Sequence, residues 1–259
     1  MAPDYRAGMT ALDITEADGI VTVLLNRPAQ RNAIDAAMIG EIHELCADLE
    51  AEPRIAIITG GTEGVFAAGA DIAQLRDRGR ADALTGINGT AFERIRRLPM
   101  PTIAAIDGYA LGGGAELTYA CDIRIGTPRT IFGQPEPGLG ITAGAGATFR
   151  LVRLVGESVA KHLLLAGDKL TADRAFQVGL LHSIVEPSDL PTAATALAQK
   201  MQKLSPIALR ATKLVTDADP AAHPQVDLLA QAMLFTDDEK HRRMTEFLSR
   251  REPPANPER

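Results

Sequence analysis

Hydrophobic positions along the chain switch between two periods. Ala11 to Ile14 and Ile20 to Leu25 alternate with polar residues around Asp18-Gly19 and read as a β-hairpin ended by Asn26-Arg27-Pro28. From Asp35 to Leu49 the apolar residues Met38, Ile42, Leu45 and Leu49 recur at helical spacing, with Asp35 placed as N-cap. Pro53 stops that helix, and Arg54 to Thr59 is a buried-type strand before the Gly60 to Gly64 turn. Val65 to Asp71 leads into an Arg-rich polar stretch through Arg80, which reads as a mobile flap. A helix is predicted over Leu84 to Leu98, cut by Pro99 and Pro101. Short strands follow at Asp122 to Ile125 and Ile131-Phe132, then helices at Ala145 to Val155 and Ser158 to Ala166, joined at Gly156. Leu180 to Val185 is a last strand. Beyond Pro187 the pattern is helical throughout: Leu190 to Leu204, Pro206 to Val215 and Val226 to Leu248. Strand and helix alternate and then give way to helix alone. The fold class is therefore α/β, with an α/β core over residues 1–200 and a helical region over 201–259 that ends in a Pro-rich tail.

One stretch stands apart from this rhythm. The apolar run at Ile103 to Ile106 breaks at Asp107-Gly108, and three consecutive glycines, Gly112 to Gly114, precede Glu116 as the pattern turns helical. Glycines at a strand-to-helix passage let backbone N–H groups approach a bound atom with no Cβ in the way. The first turn of a helix leaves N–H groups without internal partners and carries a partial positive charge. Such a corner suits a developing oxyanion. A second carboxylate, Glu136, follows in another Gly/Pro-rich turn. The residues describe an enzyme that holds a carbonyl oxygen on backbone amides beside two carboxylates.

Composition narrows the field further. The 259 residues carry 27 basic and 33 acidic side chains, a net charge of −6, which disfavours a nucleic-acid or membrane-surface partner. Cys46 and Cys121 form no C-x-x-C pair and are expected as buried free thiols of a cytoplasmic protein. His43, His162, His182, His223 and His241 show no paired metal spacing, so no metal site is expected. Ser158 and Ser183 lack the G-x-S-x-G setting of a serine hydrolase. No G-K-[ST] follows the glycines, which argues against a P-loop. The run Arg76-Asp77-Arg78-Gly79-Arg80 reads as a solvated face, with help to an anionic ligand as the sharper alternative.

Five separated segments resemble the crotonase superfamily, enoyl-CoA hydratases most closely: LLNRPAQRNAID (24–35), FAAGADIAQL (66–75), AAIDGYALGGGAEL (104–117), FGQPEPGLGITAGAG (132–146) and LFTDDEKHRRMTEFLSRR (234–251). The resemblance implies a spiral of repeated ββα units followed by C-terminal helices that build a homotrimer, or a homohexamer as a dimer of trimers. It implies acyl-CoA thioester substrates of fatty acid metabolism and β-oxidation, and no cofactor, CoA being part of the substrate. The oxyanion-hole amides fall on Ala70 and Gly113, and the two acids on Glu116 and Glu136. The implied substrate-binding set is Gln30, Arg31, Ala33, Ala68, Asp71, Ile72, Ala73, Gly112, Gly144 and Phe247. Asp71 also fits a helix N-cap. The sequence departs from the family at Ala143, Ala147 and Phe149, where proline, glycine and glutamine are usual, and at Arg242-Arg243, which replace a Glu-Gly pair.

The implied reaction is reversible addition of water to a 2-trans-enoyl-CoA, giving a 3-hydroxyacyl-CoA. Rival readings are a double-bond isomerase or other thioester enzyme of the superfamily, often with one of the two acids, and a non-catalytic acyl-CoA-binding subunit. Retention of both glutamates favours the hydratase.

Overall fold

The computed structural model describes residues 8–250. Most of the expected N-terminal tail, Arg251 and the Pro-rich ending lie outside that range. The chain divides into two compact units between Met201 and Gln202.

The first unit opens with β1 (Leu12–Ala17) and β2 (Ile20–Leu25), paired antiparallel with Leu12 opposite Leu25. Asp18 and Gly19 between them take φ of 53° and 70°, the left-handed pair that a two-residue hairpin turn demands. Helix α1 (Ala36–Ala51) follows. Asp35 caps it, its Oδ1 accepting from the Met38 N–H at 2.9 Å, and its apolar stripe buries Met38, Ile42, Leu45 and Leu49 as the spacing predicts.

From there the chain passes repeatedly between two sheets. It enters the first on β3 (Ile55–Thr59) and crosses to the second on β4 (Val65–Ala67). Helices α2 (Ile72–Asp77), α3 (Arg80–Thr85) and α4 (Ile87–Arg96) return it to the start. The next turn runs β5 (Thr102–Ile106), β6 (Tyr109–Leu111) and α5 (Gly113–Ala120). The third begins with β7 (Ile123–Gly126) and β8 (Ile131–Gly133). It continues through a wide π turn at Ala147–Leu151, α6 (Val152–Val155) and α7 (Glu157–Ala166). Strand β9 (Lys169–Thr171), α8 (Ala172–Gln177), β10 (Ser183–Ile184) and α9 (Leu190–Gln202) complete the unit. The sheets have the orders β1-β2-β3-β5-β7-β10 and β4-β6-β8-β9. Every ladder from β2 onward in the first is parallel, and β4, β6 and β8 are parallel in the second. Each ββα turn thus adds one strand to both sheets, which is the spiral the resemblance implies. All five residues of β5 are buried, as a strand covered on both faces should be.

One buried carboxylate ties the corners of this spiral. Asp107 sits at the β5–β6 corner and is 0% exposed. Its Oδ2 accepts from the Gly64 N–H of the β3–β4 corner at 2.8 Å. Its Oδ1 accepts from the Thr127 hydroxyl of the β7–β8 corner at 2.7 Å, and Arg129 closes the set with a 2.6 Å ion pair. Backbone bonds run alongside, Tyr109 N–H to Gly64 O at 3.1 Å and Ile131 N–H to Gly108 O at 3.0 Å.

The second unit holds α10 (Pro206–Thr216), α11 (Gln225–Phe235) and α12 (Asp238–Ser249). Leu214, Leu228, Leu229, Met233 and Phe235 are all exposed on it.

Several boundaries differ from the sequence reading. The helix expected over Leu84 to Leu98 is two, because Gly86 takes φ 63° and ends α3 before α4 starts. The helix expected over Val226 to Leu248 is also two. Asp237 adopts extended backbone and its side chain caps the Glu239 N–H at 2.7 Å. Ala145 to Val155 begins as the π turn, Leu190 to Leu204 stops at Gln202, and the strand at Leu180 to Val185 shrinks to β10. Strands β6 and β9 and helix α8 have no counterpart in the reading, since three to six residues carry too little periodicity. The stretch read as a flap contains α2 and the start of α3.

Asp107→Ala leaves the Gly64 N–H, the Thr127 hydroxyl and Arg129 without their shared acceptor. Loss of about 1–3 kcal/mol of stability is expected, the cost of leaving buried donors unsatisfied, since Arg129 is half exposed and regains water; urea unfolding measures it.

Candidate active site

The glycine corner is built by two close approaches. A Cβ on Gly114 would lie 2.3 Å from the Ala67 carbonyl oxygen, so only glycine lets α5 press its backbone onto β4. Gly112 takes φ 49°, and a Cβ there would lie 2.7 Å from Glu136 Oε1. The first contact brings the start of α5 against the segment after β4. A side chain starting at Gly113 would place its first carbon 3.4 Å from the Ala70 nitrogen. The Gly113 N–H belongs to the first helical turn and has no intrahelical acceptor. Around Ala70 the flanking groups are taken, with Ile34 N–H donating to Gly69 O and Asp71 N–H to Ile34 O. Among the described residues neither the Ala70 nor the Gly113 N–H has an acceptor. Two free backbone donors converge on one spot.

Both acids are buried in the same cavity. Glu116 lies in the first turn of α5 at 3% exposure, its Oε1 accepting from the Ala145 and Ala147 N–H groups at 2.8 and 3.0 Å. Those two amides face it because the chain enters the π turn there. Burial pushes the Glu116 carboxyl above the usual carboxylate range, and the Ala147 and Ala145 amides and Arg150 oppose that rise. Glu136 is 8% exposed and pushed up to about 7, by burial first and by repulsion from Glu116 as a lesser cause. The fully buried Gln134 amide, turned to donate, meets the two Glu136 oxygens at 3.2 and 3.0 Å. The other end of that amide lies 3.5 Å from the buried Tyr119 hydroxyl. Arg150, 4% exposed, donates to Ala145 O at 3.0 Å and pairs with Glu93 of α4.

The cavity is about 470 Å³ and is lined by both glutamates, by Ala68, Ala70 and Ile72, and by Gly112, Gly113 and Gly144. Gln30, Arg31 and Ala33 lie outside its wall, on a loop bonded to it: Ala68 N–H donates to Arg31 O at 3.0 Å. Asp71 caps α2, accepting from the Ala73 and Gln74 N–H groups. Phe247 belongs to the second unit, in α12, where it is exposed. Sequence reasoning missed Gln134, Tyr119 and Asn88, the last of which lines the cavity, as does Arg78 from the Arg-rich run. Gln134 lies two residues before Glu136, but Pro135 between them is helical (φ −82°, ψ 0°) and Glu136 opens a 3-10 turn, so strand alternation gave no signal for it. The amides of Ala145 and Ala147 carried none. Among the described residues no cluster of three or more His, Cys, Asp or Glu is arranged to hold a metal, and no helix is long and apolar enough to cross a membrane. Cys46 and Cys121 are both buried free thiols, and burial pushes the Cys46 thiol up to about 12.

The raised Glu136 value has a thermodynamic signature. A carboxyl that binds its proton more tightly folded than unfolded stabilises the protein at low pH. That contribution is lost as pH rises from the ordinary 4.5 through about 7. Glu136→Gln removes the titration, so the melting temperature of E136Q minus that of wild type should increase between about pH 5 and about pH 8. Differential scanning calorimetry at both pH values checks it, and a constant difference contradicts it.

The family model described as enoyl-CoA hydratase/isomerase matches residues 15–256. The short-chain-enoyl-CoA hydratase of Clostridium acetobutylicum is 36% identical, over 92% of this chain and 95% of its own. The 2,3-dehydroadipyl-CoA hydratase of Escherichia coli is 37% identical, over 95% and 98%. The crystal structure of an enoyl-CoA hydratase from Bacillus anthracis superposes with a TM-score of 0.87 at 31% identity, covering 94% of this chain and 98% of that one. With free amides and paired glutamates where the motifs place them, the chain belongs to the enoyl-CoA hydratase/isomerase family.

Proposed function

We propose that the protein hydrates a 2-trans-enoyl-CoA reversibly to the 3-hydroxyacyl-CoA. The observation that carries this reading is the facing of two buried carboxylates and two unpartnered backbone N–H groups across one cavity. The Ala70 and Gly113 amides hold the thioester oxygen, whose charge grows as the carbonyl takes enolate character. Glu116, fixed by two backbone donors, positions water and takes its proton as the oxygen bonds to C3. The electron pair of the double bond moves onto the thioester. Glu136, holding a proton near neutral pH, delivers it to C2 as the carbonyl re-forms. The product gains one water; Glu116 is left protonated and Glu136 deprotonated, and exchange with solvent moves one proton from Glu116 back to Glu136 to reset the site.

Glu116→Gln keeps a carbonyl oxygen for the Ala145 and Ala147 amides but cannot take a proton. E116Q and E136Q should each lose about 10²–10⁴ in kcat, and the double variant far less than the product of the two. Loss of conjugated-thioester absorbance measures this. An isomerase instead leaves one variant near wild type and acts on 3-enoyl-CoA.

The exposed apolar residues of α10 and α11 support self-association as a homotrimer or a dimer of trimers. Sedimentation should give three or six times the 27.5 kDa chain, and a sharp monomer contradicts it. The free thiols fit a cytoplasmic setting, and β-oxidation is the pathway this chemistry serves.

A further inference from the structure

Asn88 stands at the second position of α4 and lines the cavity beside Ile87 and Gly89. Its two amide ends are not equivalent. The oxygen accepts from Arg78 Nη1 at 3.2 Å, and this fixes the flip of the amide. The nitrogen is therefore turned the other way, into the mouth of the oxyanion site. The point where a Gly113 side chain would begin lies 3.6 Å from Asn88 Nδ2 and 3.4 Å from the Ala70 nitrogen. Among the described residues Nδ2 donates to nothing. The same cavity wall carries the apolar Ile72, Leu75, Ile87 and Ile141 together with the charged Arg78 and Asp82. Asn88 is only half-buried, so Nδ2 stays open to an acceptor that enters the cavity.

We propose that Asn88 is a substrate-contacting residue, its Nδ2–H being a third donor to the thioester oxygen and Arg78 holding it in the donating orientation. An oxygen that accumulates enolate charge can accept more than two hydrogen bonds, and Nδ2 and the Ala70 nitrogen both lie within 3.6 Å of the same point beside Gly113. The group strengthens as the charge develops, so it acts on turnover more than on binding. Arg78 serves as a positioning residue. With its guanidinium gone, the amide is free to turn its oxygen inward, where it repels the growing charge. This inference rests on the acyl-thioester reading given above.

The test uses the full-length protein and three variants, Asn88→Leu, Asn88→Ala and Arg78→Met, each checked for native circular dichroism. N88L keeps the volume and removes the donor; N88A covers the case in which leucine crowds the cleft. Two readouts are taken. The first is kcat and KM for 2-enoyl-CoA hydration, where both Asn88 variants should lose about 10²-fold in kcat, the lower end for one oxyanion donor, with KM changed little. The second is the red shift of a bound 2,4-dienoyl-CoA, which reports polarisation of its carbonyl without requiring turnover. That shift should shrink in both Asn88 variants and partly in R78M. A full wild-type red shift in N88L and N88A overturns the proposal, whatever happens to kcat, because the residue then acts on the acyl tail or on packing. A wild type that polarises the dienoyl thioester but adds no water refutes the hydratase reading alone and leaves the role of Asn88 to be judged by the red shift.

Discussion

The fold hangs on a fully buried carboxylate. Asp107, at the middle of three successive ββ corners, collects donors from the two corners on either side, and so sets how far one stands from the next. Hydrophobic burial along β3, β5 and β7 drives the layers together but is tolerant of sliding. A buried acceptor with fixed donors is not, since each lost bond leaves a desolvated group. That spacing carries through to the site, because β4 and β6 leave from corners that Asp107 ties, and β6 runs straight into α5. The backbone-to-backbone contact of Gly114 with Ala67 depends on it, and with it the convergence of Ala70 and Gly113.

Once those amides converge, the two glutamates are differentiated by what surrounds them. Both are desolvated, and both rise for that reason. Glu116 receives two backbone N–H groups on one oxygen and has Arg150 nearby, which favours its charged form. Glu136 meets the neutral Gln134 amide and its own backbone N–H, and feels the charge of Glu116. One carboxyl suited to accept a proton and one suited to hold it is the asymmetry that addition of water needs. It comes from backbone placement more than from side-chain identity.

Much of this was legible in the chain. The hairpin at Asp18-Gly19, the capped α1 and the buried β3 and β5 follow from periodicity and turn chemistry, and the glycine corner with Glu116 announced itself. The short strands of the second sheet were not legible, because three residues such as Tyr109–Leu111 are held by their neighbours' ladders and not by their own pattern. Gly86 and Asp237 broke two long helices where the apolar spacing ran on undisturbed. The donors to Glu116 were invisible for a different reason. Ala145 and Ala147 contribute backbone, and no side chain marks them.

Helix α4 has a neighbour at each end of the chemistry. Near its start it presents Asn88 to the cavity, and one turn later Glu93 grips Arg150, which in turn holds the carbonyl of the very residue whose N–H steadies Glu116. The helix is a rigid lever, and Arg150 is too tightly enclosed to absorb a displacement. An acyl group bulky enough to push the lever aside also pulls on the carboxylate at its far end. Accommodation of new substrates and efficiency on old ones are therefore mechanically geared, and a lineage that widens this pocket through α4 must retune the seat of Glu116 at the same time.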